Sequence, residues 1–500
     1  MNYAIDDDIL DDKLEQLESI QSWGPRVISK FEALLQSEDD LELFRINPIR
    51  YADERRMDKN EAIDLFLYAT TIGLLEIQWN MVCSSCASVY GSFEHLKSVT
   101  SQFNCPVCKN ENTTSLDDLM HVTFGIAPQI RDNTYNHPHE LSAKDYYFNY
   151  HLIEGSIFPP DLDFKETLTL FAKHTDYIEP DETRVYELKL DPGFLLVRNV
   201  DSEAAAMFSV QPDSSSTATP PLSLDFDGGS LTCDSPTAEA GVLQFGDLKF
   251  YAQVVGAVNA GTLQLTVRNS GNERGAVLII VMPPIEPRPL LFKPFLSGKK
   301  LLSNQTFRDL YRSEKIGASD GLAINDLTMM FTDLTDSTAL YDQVGDPQAF
   351  FLVQQHFARL REVIVANNGA IVKTIGDAVM ATFENPLDAV KASLGTLEVI
   401  DNFNDSISEH IAIKIGVHRG YCIAINSNDQ QDYFGQTVNT ASRIQGLAGP
   451  RQVILSQDVY EIDGVQSLLE KQFKVEPRVE VVKGIKKPLQ LFRLSAHQEA

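Results

Sequence analysis

The clearest pattern of apolar runs that end at polar residues lies between residues 327 and 383. Runs of apolar and β-branched residues end there at polar residues and glycine, a pattern typical of buried strands that reach a loop. The run Leu327–Phe331 leads to Asp333, and the pair Gly376-Asp377 separates two further runs, which predicts a hairpin turn.

Helical patterns alternate with these strands. Pro347 stands at the first position of one predicted helix, and Asn385 and Pro386 begin a second. Further strands are predicted at Ile411–His418 and Leu489–Leu494. The alternation predicts an α+β domain in which helices pack on a mixed sheet.

The middle of the chain consists of short apolar segments separated by turn residues, which predicts an immunoglobulin-like β-sandwich. No catalytic motif is visible in this region. The predicted strands lie at 167–171, 185–188, 194–197, 249–255, 263–267 and 277–281.

The first 80 residues have helical periodicity. Residues 1–40 form an acidic, helix-prone lead, and residues 41–80 predict two helices followed by a strand, the outline of a winged helix. A winged helix can bind DNA, but this unit lacks a basic helix, so we expect a protein-packing module.

Four cysteines form two CxxC pairs, Cys83 with Cys86 and Cys105 with Cys108. Pairs at this spacing match a zinc ribbon in which four thiolates bind structural Zn²⁺ and leave no open coordination position. Reduced free thiols and a redox sensor are the alternatives. We interpret the nearby His121 as a structural histidine.

Length and charge restrict the interpretation further. The 500 residues suggest about three domains. A net charge of -28 argues against nucleic acid or an anionic membrane as the main partner. Because neither a transmembrane run nor a signal peptide is evident, we expect a soluble, cytoplasmic protein.

These patterns divide the chain into four parts. The predicted parts are a lead, winged-helix-like unit and zinc ribbon at 1–160, a β-sandwich at 161–285, a linker at 286–325 and the α+β domain at 326–497.

Two carboxylates, Asp333 and Asp377, are the first candidates for chemistry. A single Asp at the end of a strand more often caps a turn. Two at the ends of neighbouring strands repel each other unless a cation lies between them. Hard oxygen ligands favour Mg²⁺ or Mn²⁺ and suit two-metal phosphoryl chemistry.

A second group lies between Asp432 and Arg443. Asn439 and Arg443 are four positions apart, so they share one face of a helix that Gly435 can open. An amide and a guanidinium on one face can hold a ribose oxygen and a phosphoryl group. A solvated helix face with a capping Asp is the alternative.

These motifs resemble the class III nucleotidyl cyclases over residues 327–495. The segment Phe331–Leu334 with Ser337-Thr338 resembles the first metal motif. Lys373–Asp377 resembles the segment with a purine-reading lysine and the second metal Asp, and Asp432–Arg443 the segment that contacts base, ribose and phosphate. The resemblance implies a ferredoxin-like mixed sheet with helices. Asp336 departs from the pattern, since many relatives have glycine there.

The resemblance implies a role for each residue. Lys373 and Asp432 would read the purine, Asn439 would orient the ribose and Arg443 would stabilise the transition state. Lys483 resembles a late motif near the triphosphate. The metal ligands for two Mg²⁺ or Mn²⁺ would be Asp333, Leu334 and Asp377.

The implied function is an adenylate cyclase, regulated by its N-terminal domains, which converts ATP to 3′,5′-cyclic AMP and pyrophosphate. Lysine can donate to adenine N1 while a carboxylate accepts from the exocyclic amine. The family also implies a homodimer with composite sites. A guanylate cyclase, a catalytically silent nucleotide-sensing module and a nucleic-acid binder are the alternatives. Residues 65–108 also resemble a module that precedes cyclase domains in some bacterial proteins.

Overall fold

The computed structural model describes residues 7–212, 220–234, 239–245, 248–284, 290–317, 321–407, 409–428, 430–470, 473–485 and 487–496. The expected boundary between sandwich and linker, at residues 285 and 286, lies outside these ranges.

Helices are concentrated at the two ends of the chain. The α-helices are α1 Asp7–Ile20, α2 Val27–Leu35, α3 Pro48–Arg55, α4 Lys59–Thr71, α5 Ala143–Asp145, α6 Phe164–Phe171, α7 Gly298–Leu302, α8 Gln305–Leu310, α9 Ser337–Val344, α10 Asp346–Ala366, α11 Pro386–Asn404, α12 Gln436–Gln445, α13 Gln457–Tyr460 and α14 Val465–Leu469. Short 3-10 turns lie at Leu96–Ser98, Thr134–Asn136 and Pro138–Glu140, and a π-helical turn at Tyr146–His151.

Strands occur in every part of the molecule. The N-terminal strands are β1 Leu75–Val82, β2 Val89–Phe93, β3 Gln102–Asn104, β4 Glu111–Thr113, β5 Met120–Ile126, β6 Ser156–Phe158 and β7 Leu162–Asp163. The middle strands are β8 Ala172–Ile178, β9 Thr183–Leu190, β10 Gly193–Asn199, β11 Ala204–Gln211, β12 Leu222–Asp227, β13 Ser230–Cys233, β14 Glu239–Phe245, β15 Leu248–Asn259, β16 Gly261–Asn269, β17 Gly275–Met282 and β18 Leu291–Phe292. The C-terminal strands are β19 Leu322–Leu334, β20 Gly369–Ile375, β21 Ala378–Phe383, β22 Ile413–Ser427, β23 Gln430–Phe434, β24 Gln452–Ser456, β25 Phe473–Glu480 and β26 Leu489–Ala496.

The middle region contains two packed sheets. One has the order β14-β15-β11-β10-β17-β8 and the other β13-β12-β16-β9, and a shared core lies between them. The pairs β11–β15 and β12–β16 are parallel, so the topology departs from the antiparallel pairing of the expected immunoglobulin-like sandwich.

The first strand predicted for this region, at 167–171, is wrong, because these residues form helix α6. Asp163 caps its first turn by accepting from the backbone N–H of Glu166. The hydroxyls of Thr167 and Thr169 then donate to the carbonyls of Asp163 and Lys165, each four residues back. Such back-bonding gives the threonine hydroxyls a partner within the helix.

The C-terminal domain is built on a mixed sheet with the main order β20-β21-β19-β22-β24-β26-β25, and β23 pairs with β22 beside it. Met330 of β19 packs with α10 and α11 on one face. Helix α12 lies against β22, where Gly416 allows close approach, because a Cβ there would lie 2.3 Å from the backbone nitrogen of Gln445. This is the α+β arrangement that the alternating pattern predicts.

The opposite face of this sheet shares a core with the N-terminal region. Leu327 and Met329 of β19 belong to the same buried cluster as Trp79 of β1 and Phe307 of α8. Asp117 accepts from the backbone N–H of Asn325 at 2.6 Å, which joins the loop after the cysteine pairs to β19. Within the described residues, no helix combines the length and apolar character needed to cross a membrane.

Candidate functional site

Strand β19 and the β20–β21 hairpin bring the two candidate metal carboxylates to the same end of the sheet. Thr332 pairs with Val379, so Asp333 and Asp377 follow directly at the ends of neighbouring strands. Gly376 opens the turn with φ 64°, in the left-handed region that glycine adopts easily. The side chain of Leu334 is buried, which leaves only its backbone to face a ligand.

The carboxylates have different partners. Asp333 Oδ2 lies 2.8 Å from Nζ of Lys414, the residue on β22 that pairs with Asp333 of β19. Asp377 Oδ2, in contrast, is buried and has no hydrogen-bond partner. An orphaned buried carboxylate oxygen is costly, and a divalent cation would satisfy it. The hard oxygen donors at this edge therefore fit the Mg²⁺ or Mn²⁺ that the sequence implies.

Two further residues surround this edge. His356 of α10 is fully buried, and burial lowers its pKa to about 4, although the Asp333 carboxylate opposes this. Asp336 is exposed and precedes α9 with φ 53°. This is the left-handed conformation, which explains why glycine suits the position.

The two candidate base-reading residues lie on different strands and contact each other. Nζ of Lys373 on β20 forms an ion pair with Oδ2 of Asp432 on β23. Their side chains are 35% and 12% exposed, so the pair is partly accessible to a ligand. A cation and a carboxylate side by side can donate to and accept from one edge of a base.

The third group lies on α12. Asn439 and Arg443 are exposed, and the Arg443 guanidinium donates to the carbonyl of Lys483. The Lys483 side chain is itself exposed. The fold thus joins Arg443 to the loop that carries Lys483, and both cations are open to an anionic ligand.

The four cysteines converge in the N-terminal region. Their sulfur atoms all lie within 4.8 Å of one another, and all four residues are buried. The two pairs form matching turns, in which the N–H groups of Ala87 and Lys109 donate to the carbonyls of Cys83 and Cys105 at 2.9 and 2.8 Å. Ala87 and Lys109 both adopt left-handed φ values, 55° and 58°.

Polar groups around the cluster favour thiolates. The backbone N–H of Ser85 and the amide of Asn110 donate to the sulfurs of Cys83 and Cys108 at 3.4 and 3.3 Å. Among the thiols, hydrogen bonds from Cys108 and Cys83 lower the pKa of Cys105, whereas hydrogen bonds with Cys105 raise the pKa of Cys86 and Cys108. Four converging sulfurs with N–H donors fit a tetrahedral zinc site.

Sequence reasoning missed three residues that contact the candidate catalytic residues or the strands that carry them. Lys414, which forms an ion pair with Asp333, is the polar residue between Ile413 and Ile415 of a predicted strand. This lysine in an otherwise apolar alternation was the available signal in the sequence. Arg308 and Gln305 of α8 bond to the backbone of the strands that carry Lys373 and Asp432. No local pattern marks these two, because their partners are distant in sequence.

Two family models match the chain. Residues 322–496 match the adenylate and guanylate cyclase catalytic domain, and residues 10–253 match a family of unknown function, DUF5939.

Relatives of both nucleotide specificities are found. An adenylate cyclase of Anabaena cylindrica is 26% identical over 261 residues, covering 47% of this chain and 50% of the relative. A receptor-type guanylate cyclase of Caenorhabditis elegans is 28% identical over 199 residues, covering 37% and 19%. An uncharacterized protein of Mycobacterium tuberculosis is 30% identical over 132 residues, covering 26% and 33%. The chain thus spans half or less of the length of these relatives.

Among solved structures, the adenylyl cyclase CyaB from P. aeruginosa is 20% identical, with a TM-score of 0.31, covering 35% of this chain and 96% of that one.

Proposed function

Since residues 322–496 belong to the class III nucleotidyl cyclases, we propose that the chain is an adenylate cyclase that converts ATP to 3′,5′-cyclic AMP and pyrophosphate. The observation that carries the choice of ATP is the contact between Lys373 and Asp432. The lysine can donate to adenine N1 and the carboxylate can accept from its exocyclic amine. Guanine presents the reverse, a donor at N1 and an acceptor at O6, so a lysine placed at N1 and a carboxylate placed at the 6-substituent would disfavour GTP.

Asp333 and Asp377, with the backbone of Leu334, would hold two Mg²⁺ or Mn²⁺. When bound, such cations lower the pKa of the ribose 3′-hydroxyl and neutralise phosphate charge. The buried, unpartnered oxygen of Asp377 supports this role. Asn439 orients the ribose so that the 3′-oxygen lies in line with the α-phosphorus. Arg443, with Lys483, stabilises the charge that develops on the phosphoryl oxygens as pyrophosphate leaves.

We also propose that the active unit is a homodimer with composite sites. Asn439 and Arg443 project from α12 into solvent, where a second copy can present its own metal carboxylates. We propose that the cysteine cluster holds structural Zn²⁺. We also propose that the residues N-terminal to the catalytic domain regulate the activity of that domain. The large core that they share with β19 supports such coupling.

Product analysis tests the proposed reaction. The full chain is incubated with equimolar ATP and GTP and Mn²⁺, and the products are identified by mass spectrometry. We expect cyclic AMP as the main product of the wild type and of Asp342→Ala, an exposed carboxylate on α9, but not of Asp377→Ala. Cyclic GMP as the main product would overturn the assignment to ATP. Equal activity of Asp377→Ala would overturn the metal site.

A further inference from the structure

Arg308 of α8 contacts both strands that carry the base-reading residues. Its Nη2 donates to the carbonyl of Gln431 at 2.8 Å and to that of Val372 at 3.4 Å. These two residues directly precede Asp432 and Lys373. One guanidinium therefore joins the backbone of β20 to that of β23, immediately beside the Lys373–Asp432 pair.

The two carbonyls lie where the sheet is irregular. Ile371 pairs with Ala381 and Lys373 with Met380, so Val372 is the extra residue of a β-bulge. Strand β23 pairs with β22 outside the main strand order. Bulges and edge strands leave backbone groups without partners in the sheet, and such groups need another partner when they are buried.

Other contacts of the same segment strengthen this connection. Gln305 Oε1 accepts from the backbone N–H of Ile371 at 2.8 Å, and the Gln431 amide donates to the carbonyl of Glu314 at 2.9 Å. The Arg308 guanidinium also lies 6.0 Å from the ring centroid of Tyr433, the residue that follows Asp432. Residues 305–314 thus hold both strands through side-chain and backbone bonds.

Helix α8 is in turn attached to the N-terminal helix α4. The Asn304 amide donates to Asp64 at 3.2 Å, and the Tyr311 hydroxyl donates to the carbonyl of Leu67 at 3.3 Å. Phe307, fully buried, packs edge-on against Trp79 with ring centroids 6.0 Å apart. The position of Arg308 is therefore set by the packing of the N-terminal region.

We propose that Arg308 is a positioning residue for base selection, which fixes the separation of Lys373 and Asp432 from outside the catalytic domain. The inference rests on the proposed function of that pair. Reading adenine needs a donor at N1 and an acceptor at the neighbouring exocyclic amine at once, so a small shift of one strand weakens recognition. The second nitrogen, Nη1, donates to the carbonyl of Leu302 at 3.4 Å, so a lysine at position 308 would carry the charge but would lack the planar group that bonds to all three carbonyls.

Kinetics with both nucleotides tests this role. We expect Arg308→Met to lower the ratio of kcat/KM for ATP over GTP about tenfold, mainly by raising KM for ATP, with kcat within about threefold of wild type. Arg308→Lys should lie between Arg308→Met and wild type.

The matched control is Arg359→Met. Arg359 of α10 also donates to a backbone carbonyl, that of Gln355 at 3.0 Å, and lies 3.9 Å from the ring centroid of Phe403 on α11. Its contacts are therefore with helices and not with the strands that carry the base-reading residues. This control should keep the wild-type ratio. An unchanged ratio in Arg308→Met, in a preparation whose wild type makes cyclic AMP, would overturn the inference.

Amide hydrogen exchange of the full chain without nucleotide provides a readout independent of activity. We expect Arg308→Met to speed exchange in peptides over residues 371–375 and 430–434 about tenfold or more, and Arg359→Met to leave both at wild-type rates. If wild type makes no cyclic AMP, the proposed function fails, while the exchange result still decides whether Arg308 holds the two strands. Unchanged exchange in both peptides would overturn the inference.

Discussion

The cysteine cluster and the candidate catalytic site are organised in opposite ways. The four cysteines come from two short turns, are buried, and place their sulfurs within 4.8 Å of one another. The catalytic candidates extend from Asp333 to Lys483, on strands, a hairpin, a helix and a loop. Asn439 and Arg443 among them are exposed.

The difference is that one chain supplies and buries all four ligands of the cysteine cluster, whereas it leaves part of the candidate catalytic site exposed to solvent. Buried sulfurs with N–H donors have no position left for a substrate, as in structural metal sites. The exposed amide and guanidinium of α12 instead suit a ligand or a second subunit, because a symmetric dimer can complete two equivalent sites at one interface. The predictions below test each half of this comparison.

The largest effect is expected at Arg443. Replacing it with alanine removes the donor proposed to stabilise the transition state, so kcat should fall by about 10²–10³ while KM for ATP changes only a few-fold. Steady-state kinetics measures both constants. Arg451→Ala is the control, since Arg451 is an exposed arginine of the same domain that pairs with Asp401. A similar loss in both variants would contradict the specific role of Arg443.

The next effect concerns the closed site. Cys105→Ser should reduce bound zinc, measured by elemental analysis, from about one per chain to near zero. Because metal binding contributes to folding, Tm should fall by about 5 °C or more. Cys233→Ser, which changes a half-buried cysteine outside the cluster, should keep zinc and Tm. Full zinc in Cys105→Ser would argue against four-cysteine ligation.

These two sites also differ in how far sequence could predict them. The CxxC spacing specified the cluster because each turn is local, and the apolar runs leading to Asp333 and Asp377 specified the strand ends. Arg308 and Lys414 were not predicted, because their roles depend on strands that meet only in the folded sheet. Residues 167–171 were predicted as a strand from their composition, but they continue the helix that Asp163 caps, and the threonine hydroxyls bond within it.

Acid should weaken the N-terminal region through His121. This residue is 2% exposed, its Nε2 has no hydrogen-bond partner, and burial lowers its pKa from 6.5 to about 3. The unfolded chain therefore binds the proton more readily, so the free energy of unfolding should fall as pH drops from 6.5 towards 3.

The size of this loss is on the order of a few kcal/mol. Denaturant unfolding at several pH values measures it. His121→Gln should have a shallower pH dependence, whereas His410→Gln, at an exposed histidine, should follow wild type. Parallel curves for wild type and His121→Gln would contradict the assignment.

The smallest effect concerns the unfolding free energy, and it compares a buried with an exposed contact beside the cysteine cluster. Arg198 of β10 is buried and donates to the carbonyls of Pro106 and Val107, between Cys105 and Cys108, whereas Lys109 forms an exposed ion pair with Glu203. Arg198→Met should cost about 2–3 kcal/mol of unfolding free energy and Lys109→Ala less than about 1 kcal/mol. Equal costs in denaturant unfolding would show that burial does not separate these contacts.

The central claim, an open site completed by a second copy, is tested most directly by pairing two inactive variants. Asp333→Ala and Arg443→Ala chains, each with a different affinity tag, are co-expressed and purified through both tags. The mixed dimer has one site with both wild-type halves, so it should have about half of the wild-type cyclic AMP synthesis. A mixed dimer no more active than either variant alone, or two chains that do not purify together, would contradict the account.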